Sequence, residues 1–169
     1  MISLRPLAGV ILTSVLLTGY AAAPATASTQ APVASSSVQA ASRPSNGKIL
    51  YDRYRGGRGT LKIKNGTGRD AVVTLVRGRT KTLSLYVRAR STASAKVVED
   101  GTYRVYFTGG HQFSTSKRRF AKSATYQRFD RKLRFTTTST SRTVWTLTLN
   151  PIRGGNASTS GVNPKDFPA

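Results

Sequence analysis

The chain has 169 residues, with 27 Lys and Arg against 6 Asp and Glu, a formal charge of +21, and no cysteine. The absence of cysteine excludes disulfides, thiolate catalysis and Cys-based zinc sites, so the fold has to rest on its apolar core. The charge speaks of partners rather than fold: it draws an anionic cell-wall polymer such as teichoic acid, an acidic glycan, anionic lipid, an acidic protein or nucleic acid.

Residues 1–27 read as a secretory signal peptide. Arg5 gives the positive start, residues 7–17 the apolar stretch, and Ala25-Thr26-Ala27 a small-residue cleavage site. The apolar run falls short of the ~20 residues of a spanning helix and is diluted by Gly9, Thr13 and Ser14, which favours cleavage after Ala27 over a retained anchor. The expected location is therefore secreted or cell-surface, with no stable membrane span after cleavage. Removing Arg5 with the signal leaves about +20. Residues 16–20 resemble a bacterial lipoprotein box, but Tyr20 stands where the lipid-bearing Cys belongs, so lipidation there is excluded. Residues 28–47, rich in Ser, Ala, Pro and Gln without periodicity, read as a flexible linker with too little apolar surface to order itself.

Residues 48–152 carry a period of two. At 59–64, Leu61 and Ile63 alternate with Lys62 and Lys64; the turn Asn65-Gly66-Thr67-Gly68 follows. A strand at 70–76 contains Ala71-Val72-Val73, a run that suggests burial on both faces. Leu83, Leu85 and Val87 alternate with Ser84, Tyr86 and Arg88, and a shorter strand is expected at 95–98. Asp100-Gly101 turns into a strand with Tyr103, Val105 and Phe107 on one face and Arg104 and Tyr106 on the other, ended by Gly109-Gly110. Residues 111–124 read as irregular, with one helical turn near 117–121. Strands resume at 125–129, 133–138 and 143–149, with Asp130 in a hairpin turn and Trp145, Leu147 and Leu149 sharing a face. Pro151 stops the ladder and residues 153–169 form a turn-rich tail. About eight short strands without a helical period predict an all-β fold: a single small antiparallel β-sandwich, prealbumin-like or immunoglobulin-like, with a small barrel as the alternative.

The stretches GTLKIKNGTGRDAVVTLV, DGTYRVYF, YQRFDRKLRFTTT and TLTLNPIRGGNA resemble a family of secreted actinobacterial proteins of uncharacterised function, over residues 54–167. The DGTYRV segment is also similar to prealbumin-like and carboxypeptidase regulatory-like sandwiches. The resemblance implies a bacterial, exported β-sandwich module and assigns no catalytic residue.

Catalytic constellations are not found in the sequence. The one histidine, His111, lacks a nucleophile motif and reads as an exposed loop residue. Glu99, Asp100 and Asp70 are explained by turns, and neither a metal-ligand cluster nor a phosphate-binding loop is visible, so no enzyme activity, metal or cofactor is expected. Arg55-Gly56-Gly57-Arg58-Gly59 resembles an RNA-binding RGG element in a single copy. What stands out is a polar face: Lys62, Lys64, Tyr86, Arg88, Arg104, Tyr106 and Arg134 all alternate with apolar residues, and alternation projects them away from the core. Cations neutralise a polyanion and tyrosines offer stacking surfaces. Lys117-Arg118-Arg119 is a second basic cluster.

Overall fold

The computed structural model describes residues 43–54, 56–150 and 158–168. The expected signal peptide and most of the expected linker lie outside these. Ten strands are described: β1 (Ile49–Asp52), β2 (Gly59–Asn65), β3 (Asp70–Arg77), β4 (Thr80–Val87), β5 (Ser91–Val98), β6 (Gly101–Ser114), β7 (Arg119–Phe129), β8 (Leu133–Phe135), β9 (Val144–Thr148) and β10 (Thr159–Gly161), followed by a 3₁₀ turn at Pro164–Asp166. They form two open sheets. The larger runs β1-β4-β3-β6-β7-β10, with β8 continuing along the β7 edge of β6; the smaller runs β5-β2-β9. The molecule is an all-β sandwich with no closed barrel among the described residues. Its pairs are antiparallel except β2–β9, which are parallel, Leu61 lying beside Trp145 and Ile63 beside Leu147.

The period-two pattern places the core. Leu61 and Ile63 of the small sheet meet Val73, Leu75, Leu85 and Val105 of the large one, all at most 1% exposed. Tyr103 and Phe135 close one end edge to face, ring centres 5.6 Å apart. β3 is buried on both faces, as its unbroken apolar run requires: Val72 and Val76 point away from the inter-sheet core yet are nearly inaccessible.

The cover over that outer face comes from a segment that sequence patterning misreads. Residues 111–124 are not an irregular loop with a helical turn. β6 continues past Gly109-Gly110 through a register shift to Ser114, and β7 already begins at Arg119, giving one long hairpin. Gln112 and Ser123, one on each strand, take left-handed φ values of 55° and 52°. A bulge with a left-handed residue bends a ribbon. The far half of the hairpin folds back, so that Phe113 lies 5.3 Å from Tyr86 and 5.0 Å from Phe120, in a second cluster with Val72 and Leu50. Burying two aromatic side chains offsets the ~1–2 kcal/mol that each left-handed L-residue costs. Gly110 is required here, since a Cβ at that position would stand 2.7 Å from Cβ of Phe120.

Three further boundaries differ from expectation. Residues 43–47, expected as linker, pack on β4 and β5: Gly47 N–H donates to Tyr86 C=O at 2.9 Å and Asn46 Nδ2 to Thr92 C=O at 2.8 Å. Residues 159–161, expected as tail, pair with β7 through Ser160 and Arg128. Asp130 stands in a bend between β7 and β8 rather than a hairpin, because both strands pair with the same edge of β6.

Candidate functional site

The seven residues expected on one polar face divide between opposite faces of the sandwich. Lys62 and Lys64 are exposed on the outside of the small sheet. There each aligns with Ser94 or Thr92 of β5 and Thr146 or Thr148 of β9, and Lys96 continues the face. β2, β5 and β9 contain no Asp or Glu, so this is a flat, hydroxyl-rich surface of one sign. Lys96 was legible in the alternation Ser94-Ala95-Lys96, which repeats that of β2.

Arg104 and Arg134 lie on the outer face of the large sheet, Arg134 opposite Thr102 and Arg104 opposite Val76, and both are exposed. Arg128, next to Tyr106, extends this second basic surface. Tyr106 is half-buried, its ring 6.1 Å from Phe167 and so engaged within the fold. Arg88 is also tied down: its Nε donates to Pro44 C=O at 2.9 Å and its N–H to Asn46 Oδ1 at 3.0 Å.

Tyr86 does not project outward. It is wholly buried beneath the hairpin, and its hydroxyl donates to Asp70. Asp70 is the polar centre that turn chemistry hid. Only 8% exposed, its carboxylate also accepts from Arg43 through Nε at 2.7 Å and through a second guanidinium nitrogen, and from Ala89 N–H at 2.9 Å. Burial alone would push the Asp70 carboxyl up; the hydrogen bonds of Arg43, Tyr86 and Ala89 outweigh it and hold the group below the usual carboxylate range. Burial, with the bond to Asp70, pushes the Tyr86 phenol up to about 12. The group is a structural latch joining residues 43–47 to the sheet.

The RGG-like run has a packing explanation as well. A Cβ on Gly57 would stand 2.2 Å from Val98 C and Glu99 N, so only glycine lets the chain pass the end of β5. Lys117, Arg118 and Arg119 are exposed around the hairpin tip.

His111 is exposed, on β6 rather than in a loop, at the rim of a cleft of about 770 Å³ between the sheets. Ala71, Phe107, Phe129 and Leu147 form its apolar floor, and Arg69, His111 and Gln127 stand among threonines on its walls. Among the described residues, no carboxylate lines it. Among the described residues, no three His, Asp or Glu side chains converge as a metal site, and no helix is long and apolar enough to cross a membrane. No protein-family model, no curated protein and no solved structure matches the chain.

Proposed function

We propose that the protein is an exported, non-catalytic binding domain that holds an anionic polymer of the cell envelope against the outside of its small sheet. The observation that carries this reading is the Lys62-Lys64-Lys96 face, three cations on fixed strands amid hydroxyls and without one acid. Adjacent lysines on β2 are spaced by two strand residues, roughly 7 Å. A linear polyanion meets such a row charge by charge, and threonine and serine hydroxyls complement the hydroxyls of a polyol or sugar repeat. Export is supported by the apolar stretch and cleavage site at 1–27. The burial of Tyr86 and the packing of Tyr106 leave the contact electrostatic rather than stacked.

The test is retention on purified teichoic acid as NaCl is raised. Binding should weaken steeply with salt through counterion release, and Lys62→Glu/Lys64→Glu/Lys96→Glu should lower the slope of log affinity against log salt by about 2, at ~0.7 per lost contact. Arg104→Glu/Arg134→Glu, on the opposite face, should lower it less. Equal loss from both sets would reduce the site to undirected charge, and preferential displacement by DNA would make nucleic acid the ligand.

A further inference from the structure

The two sheets differ in width. The large sheet carries β6, β7 and β10 in sequence, while among the described residues the small sheet stops at β9. Phe129, Gln127, Thr125 and Thr159 therefore face the inter-sheet cleft with no strand of the small sheet opposite them among the described residues. The cleft's other wall is β9. In the parallel β2–β9 ladder, Thr60 N–H donates to Thr143 C=O and Leu149 N–H to Lys64 C=O. Backbone direction alternates along a strand, so Val144, Thr146 and Thr148 aim their N–H and C=O groups away from β2. Thr146 and Thr148 line the cleft. β9 reads Val-Trp-Thr-Leu-Thr, with no proline, lysine or bulge of the kind that blunts exposed edges, and Val144 is 56% exposed.

We infer that the β9 edge is a docking site for an extended acidic peptide, which adds to the small sheet as a fourth strand. Its backbone pairs with Val144, Thr146 and Thr148, and alternate side chains enter the cleft over Phe107, Phe129 and Leu147. The acidic character follows from the lining, which among the described residues holds Arg69 and His111 and no carboxylate, on a chain of charge +21. The same charge opposes a second copy at this edge, since pairing β9 with β9 would bring two such chains together. Residues 28–42 of the chain carry no charged side chain and lack the complementary sign. The inference stands on the ladder left open among the described residues and is independent of the lysine face.

Trp145, the single tryptophan, sits on β9 and reports on the site by its emission. The probe is a short peptide alternating Glu and Val, titrated into the whole protein at physiological salt. It should shift Trp145 emission saturably, and the same peptide N-methylated at alternate residues, equal in charge but unable to complete the ladder, should bind at least about tenfold more weakly. Thr146→Pro deletes an N–H that points away from β2, so the melting temperature should hold while peptide affinity falls by a similar factor. Absence of binding, or equal affinity of the N-methylated peptide, overturns the inference. So does a dimer in sedimentation that Thr146→Pro dissolves, which makes a second copy the occupant. Displacement of the probe by a synthetic peptide of residues 28–42 overturns it in favour of the chain's own segment.

Discussion

At Tyr86 a phenol is held out of water against a carboxylate, and its pKa near 12 lies about two units above that of an unfolded tyrosine. Between pH 10 and 12 the unfolded chain ionises this group while the folded one keeps its proton. Stability from Tyr86 is therefore complete below pH 10 and is lost as pH rises toward 12, by ~2–3 kcal/mol in all. Asp70 behaves in the opposite sense: its lowered pKa gives stability that is present above pH ~4 and disappears as pH falls through the folded value. Tyr86→Phe should cost about 1–2 kcal/mol at neutral pH, through the lost bond to Asp70, and should flatten the alkaline limb. Urea midpoints at pH 9 and pH 11 decide it. Parallel losses in the two proteins would mean that the alkaline limb belongs to Tyr103, whose phenol burial also pushes up, and to the surface lysines instead.

Among the elements, residues 43–47 act as a strap, because Arg43 bonds to Asp70 of β3, Asn46 to Thr92 of β5, and Pro44 C=O accepts from Arg88 just past β4. A chain starting at Arg43 should melt with the full domain. A chain starting at Lys48 loses the guanidinium from a nearly buried carboxylate and should be weaker by on the order of 2–3 kcal/mol, the pair being exposed on the arginine side. Equal melting of the two would show the strap to be dispensable. This boundary was illegible for a physical reason: the strap makes polar, long-range contacts, and hydrophobic periodicity records none of them. The same holds for Asp70, whose position after a turn explains it locally while Arg43 and Tyr86 arrive from 27 and 16 residues away. β2 and β4 were legible from apolar alternation and β3 from its unbroken apolar run, whereas only the second half of β5 was, its first residues Ser91-Thr92-Ala93-Ser94 offering only small or hydroxyl side chains. The β6–β7 hairpin was not, since Gly109-Gly110 imitates a strand end well before the true turn at 115–118, while Phe113 and Phe120 find their partners only after the ribbon bends. As for the basic face, alternation identified which residues leave the core but not which of two sheets carries them. Lys62 and Arg104 thus fell together in sequence and apart in space.

For the molecule as a whole, 27 basic residues face 6 acidic ones, and Asp70 is already engaged by Arg43. Most of the positive charge stays on the surface of a sandwich whose sheets stand ~10 Å apart. At 0.01 M salt the screening length is ~30 Å, longer than that separation, so cations on the two faces repel through the fold; at 0.15 M it is ~8 Å and each face is electrostatically separate. The unfolded chain spreads the same charges over a larger volume, so self-repulsion weighs on the folded state at low salt. The melting temperature should therefore rise as NaCl goes from about 0.01 to 0.15 M, where simple surface ion pairing would make it fall. A polyanion that binds the folded surface should give the same rise at constant low salt, and the gain should grow with its concentration as mass action requires. Differential scanning calorimetry across the salt series, with and without polyphosphate, reads both effects. A melting temperature that is flat or falling with NaCl would show that the charges on the two faces do not act on one another.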